Sequence, residues 1–405
     1  KFPHERELMT VQKAINREGI LNPVINDSSR ELWKRYHIKS WPSIIFIDQE
    51  GYIIGVLKGE GRRQQLDGLI SKQLRRAEQK DLPEPLPVKV SLLSEPNTAL
   101  KFPGRVLATE KCLYISDSGN NRILECSHKG NVLRIFGSKQ AGHLDGLGDE
   151  ASFRNPQGMV QVGDYLYVAD AGNHAIRRIQ MRMGEVDTVA GNGRQGKLTS
   201  QVVADPQIAQ LNSPWDLAYH GGNMYIAMAG HHQIWCWQLS LNHLGQYAGT
   251  GQEGFKDGVP EHAMFAQPSG LCATKDSLIV ADAESSSLRM LRANSGTVAT
   301  VVGKGLFEYG DQDGPASSAM FQRPMAVCYD AYRKIVWICD TYNNKLKYMQ
   351  MGSHDITTLD FVGLNEPSGV CVLGDKLWVA NTNAHEILCL DLTNGTSEKI
   401  NIRII

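Results

Sequence analysis

The hydrophobic pattern changes about eighty residues into the chain. Before that point apolar residues recur at helical spacing, as Leu8, Val11 and Ile15 do, and two apolar runs read as paired strands. Ser28 and Glu31 form a capping-box pattern at the start of a second helix. The pattern predicts helix, helix, strand, strand and helix over about 4–19, 28–40, 43–47, 52–57 and 64–76.

After residue 100 the pattern becomes a sixfold repeat of short strands. Each unit holds a strand, a turn, an apolar strand that ends in a polar residue, a turn of small residues and a third strand, and a fourth follows in places. The units begin at Pro103, Pro156, Pro214, Pro268, Pro324 and Pro367. A period of 43 to 58 residues is typical of propeller blades. We therefore predict a mainly β fold: a six-bladed β-propeller preceded by a partial α/β domain, with Lys89–Leu93 available as a strand that helps to close the ring.

A polar residue closes the second strand in five of the six units. These residues are Asp117, Asp170, Asp282, Asp340 and Asn381, whereas unit three has Met228. A buried carboxylate must be paired, so we expect these side chains to accept hydrogen bonds from backbone N–H groups of nearby loops. The pattern predicts a structural, loop-capping role for them rather than a catalytic one.

A second repeated element lies between units. It is an Asp-Gly pair followed by a phenylalanine eight residues after the Asp, and it occurs as Asp145 to Phe153, Asp257 to Phe265 and Asp313 to Phe321. Asp-Gly suits a tight loop, and the phenylalanine can fill the gap between neighbouring blades.

Unit two carries the residues that connect the chain with a known repeat. Tyr167–Asp170, Asn173, His174, Ile176 and Arg177 match the core of the NHL repeat. The runs KFPHERE, SWPSIIFI, FPGRV, YIAMAGHHQIW and FAQPSGL, with GEG at 59–61, resemble the family of NHL repeat-containing protein 2 over essentially the whole chain. The resemblance implies an NHL-type propeller.

The same resemblance implies how the chain is divided. Residues 1–80 would be the C-terminal part of a thioredoxin-like domain, 81–100 a linker and possible ring-closing strand, and 101–405 the propeller. In thioredoxin folds a cis proline faces the redox cysteines, and the matching dipeptide here is Trp41-Pro42. The family's Cys-x-x-Cys motif lies upstream of Lys1, so we expect this sequence to be a fragment. Thiol–disulfide exchange or redox sensing through that motif is the alternative function.

Charge and cysteine usage narrow the classes of function. Residues 1–80 carry 15 Lys and Arg against 10 Asp and Glu, and the remainder carries 27 against 33, so the propeller is a poor electrostatic partner for nucleic acid. Nothing in the sequence resembles a signal peptide or a membrane-spanning run. The cysteines stand singly in strand patterns, which predicts eight free thiols and a cytosolic location. They are Cys112, Cys126, Cys236, Cys272, Cys328, Cys339, Cys371 and Cys389.

The expected function is that of a non-catalytic protein-interaction scaffold. We expect a monomer that binds protein partners, uses no cofactor and binds neither nucleic acid nor a membrane. Functional residues concentrate on loops, and the loops of a propeller crowd onto one face. The candidate contact residues there are Asn120, Asn173, His174, His231, His232, Ser285, Tyr342, Asn343 and His385. No further Asp, Glu or His set has ligand spacing with the adjacent histidines, so we expect no metal.

Unit three departs furthest from the repeat and leaves two interpretations open. Trp235 and Trp237 share one face of a strand and would fill the gap between blades three and four. Alternatively, His231 and His232 on the preceding loop contribute to a contact surface at the channel mouth. In that case, replacing both with alanine weakens partner binding and leaves the melting temperature within a few degrees, as exposed loop changes do.

Overall fold

The computed structural model describes residues 1–59, 62–79, 94–199 and 201–404. Their backbone forms two compact units, one of Glu5–Glu95 and one of Lys1–His4 with Pro96–Ile405. The predicted ring-closing strand Lys89–Leu93, the proline-rich stretch 82–87 and residues 60 and 61 of the GEG motif lie outside the described residues.

The smaller unit has the element order that the apolar pattern predicts. Its helices are Leu8–Glu18, Glu31–Arg35 and Arg63–Gln79, and its strands are Ser43–Ile47 and Ile53–Lys58. The two strands pair as an antiparallel hairpin. The Trp41-Pro42 peptide bond is cis. The assignment of this unit to the thioredoxin fold stays a prediction.

The second helix of this unit begins differently from the prediction. It starts at Glu31 and has five residues. The carboxylate of Asp27, not the hydroxyl of Ser28, accepts the first helical N–H groups, those of Leu32 at 3.1 Å and Trp33 at 2.8 Å. The hydrogen bond from the Trp33 N–H lowers the pKa of Asp27. The predicted capping box is therefore wrong, because the aspartate one residue earlier takes the capping role.

The larger unit is a six-bladed β-propeller, as predicted. Each blade is an antiparallel sheet of four strands, and a short extra strand, Gly146–Leu147, lies at the outer edge of blade two. Blade one consists of Arg105–Ala108, Leu113–Asp117, Arg122–Cys126 and Val132–Phe136; blade two of Pro156–Val162, Tyr165–Asp170, Ala175–Gln180 and Glu185–Ala190. Blade three consists of Pro214–His220, Asn223–Met228, Gln233–Gln238 and His243–Ala248; blade four of Pro268–Ala273, Ser277–Asp282, Ser287–Arg292 and Val298–Val302. Blade five consists of Pro324–Asp330, Ile335–Asp340, Lys345–Gln350 and Ile356–Thr358; blade six of Pro367–Leu373, Lys376–Asn381, Glu386–Asp391 and Ser397–Ile400.

The ring closes where blade six meets blade one. The first strands of neighbouring blades contact each other all the way round, including those of blades six and one. At the outer edge the chain after blade six reaches blade one, where the N–H of Val132 donates to the carbonyl of Arg403 at 3.0 Å. Within the described residues, closure thus uses the chain that follows the sixth blade.

The hydrophobic core lies between the blades. Each apolar cluster draws its residues from two adjacent blades, as Ile176 of blade two and Trp235 of blade three do. Trp235 and Trp237 are 1% and 5% exposed and pack toward blade two, where Trp237 meets the ring of Tyr167 edge-on at 6.1 Å. The prediction that both indoles fill a gap is right, but the gap lies between blades two and three. Each such side chain contributes roughly 1.5–3 kcal/mol by leaving water.

Candidate protein-interaction site

Every blade places a one-turn 3-10 helix after its second strand, and this turn carries the candidate residues. The six turns are Ser118–Asn120, Ala171–Asn173, Ala229–His231, Ala283–Ser285, Thr341–Asn343 and Thr382–Ala384. Each is followed by a residue in the left-handed conformation, with φ between 50° and 57°. We call the side of the propeller that carries these turns the turn face.

The polar residues that end the second strands fasten the incoming chain of their own blades. In each case one side-chain oxygen accepts a backbone N–H from the residue 16 or 18 positions earlier. The pairs are Asp117 with Lys101 (2.7 Å), Asp170 with Arg154 (2.8 Å), Asp282 with Ala266 (2.7 Å), Asp340 with Gln322 (2.8 Å) and Asn381 with Asn365 (2.6 Å). In blade three Met228 takes the place of the polar residue, and its thioether Sδ accepts the N–H of Asn212 at 3.3 Å.

A buried cation accompanies the strand-end aspartate in four of these blades. The cations are Arg122, Arg177, Arg289 and Lys347; their side chains are at most 1% exposed, and each lies within 2.7 to 3.6 Å of the aspartate of its blade. The Asp-Gly loops supply a second carboxylate, as Asp145 does for Arg177 at 2.7 Å. Burial raises the pKa of Asp170 to about 6, and Arg177 is the main group that opposes this rise. The buried cation thus offsets part of the cost of burying the aspartate, and loss of either partner would leave an uncompensated charge.

Asp313, in the Asp-Gly loop that precedes blade five, gives this set of charged groups a pH dependence. Burial alone would raise the pKa of Asp313, but hydrogen bonds from the N–H and hydroxyl of Thr358 and the ammonium of Lys347 lower it below its ordinary value. Stability from this group is therefore present above the pKa of the unfolded chain, about 3.9, and is lost as the pH falls through the folded value.

We expect Asp313→Asn to unfold about 1 kcal/mol more easily than the wild type at pH 6, a small effect because the Asp313 side chain is 42% exposed. At pH 3 the difference should shrink, since pH 3 lies below the unfolded pKa of about 3.9 and keeping the folded carboxyl charged then costs free energy. Urea unfolding at both pH values measures it. A difference that is equal at pH 6 and pH 3 would contradict this account.

The left-handed residue after each turn links its blade to the next one. Its side chain accepts the N–H of the residue that precedes the next blade's leading proline. The six acceptor–donor pairs are Asn121–Asn155 (3.0 Å), His174–Ser213 (2.9 Å), His232–Gln267 (3.1 Å), Ser286–Arg323 (3.2 Å), Asn344–Glu366 (2.7 Å) and His385–Phe102 (3.0 Å). All six donor residues have positive φ. The last pair joins blade six to blade one, so the set of hydrogen bonds runs round the whole ring.

Most of the candidate contact residues make hydrogen bonds within the propeller, which corrects the expectation that they form an exposed surface. His174, His232 and His385 accept the inter-blade hydrogen bonds through Nδ1. Asn120, Asn173, Ser285 and Asn343 donate instead to the strand-end aspartates of their own blades, at 2.9, 2.8, 2.6 and 2.8 Å. These side chains make hydrogen bonds within the propeller, so their role in the structure is to build the turn face.

His231 also belongs to the interior rather than to an exposed loop. It is 3% exposed, its ring stacks on Trp235 with centroids 5.8 Å apart, and its Nε2 lies 3.4 Å from the carbonyl of Gly196. Burial lowers the pKa of His231. The assumption that His231 and His232 lie on an exposed loop is therefore wrong, and we expect their replacement to cost stability.

Tyr342 is the candidate residue that contacts a ligand-like segment on the turn face. The segment is Lys1–His4, which belongs to the same compact unit as the propeller. Phe2 is 1% exposed, and its ring meets those of Tyr309 and Tyr342 edge-on at 5.2 and 5.5 Å. The hydroxyl of Tyr309 donates to the carbonyl of Lys1 at 3.2 Å. An aromatic side chain is thus held between two tyrosines and fixed through its backbone neighbour.

Charged groups complete this site. The ammonium of Lys1 pairs with Glu284 at 3.3 Å, and His4 Nε2 lies 2.9 Å from the carboxylate of Glu366. Arg323 reaches the second oxygen of Glu284 at 3.0 Å and orients the Tyr342 hydroxyl at 3.1 Å. We call the site the Phe2 pocket; it consists of Glu284, Tyr309, Arg323, Tyr342 and Glu366.

Four of the five pocket residues escape sequence reasoning. Arg323 and Glu366 precede the leading prolines of blades five and six, and Tyr309 lies in a loop between blades, so none belongs to the repeated turn motif. The sequence gives one weak indication of this site: Lys1 and His4 are basic, whereas Glu284 and Glu366 are acidic. The pairing of residues about 300 positions apart becomes visible only in the folded ring.

Other kinds of site find no support in the part of the chain that the structure describes. No group of three or more His, Cys, Asp and Glu side chains there could hold a metal ion. None of the helices in the described ranges has the length and apolar character needed to cross a membrane.

Comparison with known proteins relates the chain to one group. No protein-family model matches it. NHL repeat-containing protein 2 of Gallus gallus is 34% identical, over 97% of this chain and 60% of that protein. The protein SUPPRESSOR OF QUENCHING 1, chloroplastic, of Arabidopsis thaliana is 33% identical, over 99% of this chain and 41% of its own length. The chain thus spans about three fifths of the length of the animal relative and two fifths of the plant one.

Among solved structures, a chain of the nidogen/laminin complex superposes on 70% of this chain and 91% of its own length, with a TM-score of 0.50 and 12% identity. At that identity the similarity concerns the fold alone.

Proposed function

The chain belongs to the family of NHL repeat-containing protein 2, as its motifs predicted, and from that premise we propose that its propeller binds protein partners through the Phe2 pocket. Family membership supports a protein-interaction scaffold in general terms. The observation that carries the finer proposal is the burial of Phe2 between Tyr309 and Tyr342. The proposed ligand is a peptide segment with one aromatic residue flanked by basic residues.

The chemistry of the pocket supports this class of ligand. Edge-on aromatic contacts favour a ring in one orientation and are worth about 0.5–1.5 kcal/mol each beyond the area they bury. Glu284 and Glu366 pair with Lys1 and His4, which flank Phe2 along the chain. An acidic flank of this kind selects cationic neighbours and disfavours acidic ones.

The occupied pocket also explains how a partner would compete. Lys1–His4 is part of the same chain, and a tethered ligand acts at an effective concentration in the millimolar range. A partner segment must therefore displace Lys1–His4, and it should bind better to a chain in which the contacts of Lys1–His4 with the pocket are weakened. We expect free peptide to bind the wild-type chain poorly for this reason.

A titration tests the proposal. The Phe2→Ala chain removes the ring that fills the pocket and keeps every pocket residue. We expect a fluorescent peptide that contains Lys-Phe-Pro-His to bind this variant roughly tenfold more tightly than it binds the wild type, because intramolecular competition is reduced. Fluorescence anisotropy measures both affinities.

Two controls make the titration specific. Adding Tyr342→Ala to Phe2→Ala should abolish the gain, and a peptide with alanine in place of phenylalanine should not bind. Equal affinity of wild type and Phe2→Ala, or binding that survives the loss of Tyr342, would refute a role of the pocket in recognition.

Several finer expectations accompany this proposal. The thioredoxin-like character of the smaller unit, its coupling to the propeller, a monomeric state and a cytosolic location stay predictions, and the plant relative is named as chloroplastic. Thiol–disulfide exchange through a Cys-x-x-Cys motif upstream of Lys1 is the less favoured alternative, because the comparisons support the NHL repeat family alone.

A further inference from the structure

Three cysteines line one cavity on the axis of the propeller. Cys272, Cys328 and Cys371 each stand four residues after the leading proline of their blades, which are blades four, five and six. The first strands of these consecutive blades contact each other. All three side chains line a cavity of about 130 Å³, together with Arg105 and Asp216 among others.

From this arrangement we propose that Cys328 and Cys371 form a peroxide-sensitive dithiol, which a peroxide converts to a disulfide between blades five and six. Both thiols line the same cavity and stand at the same position of first strands that contact each other. Their interaction lowers the pKa of Cys371 and raises that of Cys328. The N–H of Ala108 donates to the Cys371 sulfur at 3.4 Å.

The surroundings distinguish the roles of the three thiols. The hydrogen bond from Cys328 lowers the pKa of Cys371 against the effect of burial, which gives that sulfur thiolate character. The pKa of Cys328 is raised, first by the same interaction and then by burial. Burial and the nearby carboxylate of Asp216 raise the pKa of Cys272. Cys371 is therefore the attacking group, Cys328 the resolving group, and Cys272 the bystander.

The reaction balances with a peroxide as oxidant. The Cys371 thiolate attacks one oxygen of hydrogen peroxide, the O–O bond breaks, and the hydroxide that leaves takes up a proton to form water. The sulfenic acid on Cys371 is then attacked by the sulfur of Cys328, which loses its proton as the S–S bond forms and the S–OH bond breaks, releasing a second water. Two thiols are oxidised and one peroxide is reduced. The cavity has room for a molecule of this size, since a water takes up about 30 Å³ of liquid volume.

Thiol counting and peptide mapping on the full chain test the proposal. The reduced protein has eight free cysteines. After treatment with hydrogen peroxide, alkylation under denaturing conditions should label two fewer, and a non-reduced digest should contain a peptide pair joined through Cys328 and Cys371. Dithiothreitol should restore the full count. Eight labelled thiols after oxidation, or a disulfide between other cysteines, would overturn the proposal.

Serine variants resolve the order of events. In Cys328→Ser, Cys371 should stop at the sulfenic acid, which dimedone labels, whereas in Cys371→Ser, Cys328 should stay reduced. Cys272→Ser is the matched control at the same blade position and should form the disulfide as the wild type does. Dimedone labelling of Cys328 in place of Cys371, or loss of the disulfide in the Cys272 variant, would show that the roles are assigned wrongly. The wild-type mapping stands even if a variant fails to fold.

Discussion

Replacing Arg177 with methionine is expected to lower the free energy of unfolding by about 3–5 kcal/mol, the cost of removing one partner from a buried ion pair. The guanidinium is fully buried and donates to Asp170 at 3.1 Å, to Asp145 at 2.7 Å and to the carbonyl of Ser152 at 2.7 Å. Methionine fills similar volume but supplies no donor. Asp170, which is 0% exposed, would lose its cation, and that uncompensated carboxylate is the source of the loss.

Arg178→Met is the matched control for this experiment. Arg178 is the next residue on the same strand, but its side chain is 33% exposed and its partner Asp187 is 38% exposed. A solvent-exposed pair contributes about 1 kcal/mol or less. The free energies of unfolding in urea should therefore differ clearly between the two variants. Equal losses, or a loss below about 1 kcal/mol for Arg177→Met, would contradict a structural role for the buried cations.

His232→Ala should also destabilise the ring, by about 1 kcal/mol, because it leaves a partly buried donor without an acceptor. The donor is the N–H of Gln267, which lies 3.1 Å from His232 Nδ1. Alanine also tolerates the left-handed conformation at this position, φ 53°, less readily than asparagine does. Thermal and urea unfolding measure the effect.

His232→Asn provides the rescue. Blades one and five already use Asn121 and Asn344 as acceptors in the same position, at 3.0 and 2.7 Å. Asparagine restores both the acceptor and the backbone preference, so we expect this variant to recover most of the lost stability. If alanine and asparagine behaved alike and neither destabilised the protein, His232 would instead be free for partner contacts.

Most of the propeller fold could be predicted from the repeated sequence pattern. A leading proline and an apolar second strand recur six times, and a polar residue ends that strand in five of the six units. Each of these features acts locally, so six blades could be predicted. The gap filled by Trp235 and Trp237 was assigned to the wrong side, because strand alternation shows that two side chains share a face but not which neighbour that face meets. Ring closure through Arg403 depends on pairing between the two ends of the propeller, and local patterns do not encode such a contact.

The candidate site was harder to predict for a related reason. Polar residues in turns were interpreted as surface contacts, yet His174 and His232 face the N–H groups of the next blade. Their partners lie 39 and 35 residues away. The Phe2 pocket joins even more distant positions. Turn composition therefore identified residues of the turn face but did not separate those that the fold uses from those that a partner could contact.

The structure of the Phe2→Ala chain in complex with a Lys-Phe-Pro-His peptide tests the central claim most directly. The proposal predicts that the phenyl ring of the peptide lies between Tyr309 and Tyr342, at centroid distances close to the 5.2 and 5.5 Å of Phe2, with its basic residues at Glu284 and Glu366. A peptide bound at another surface, or a pocket left empty at saturating peptide, would contradict recognition through this face.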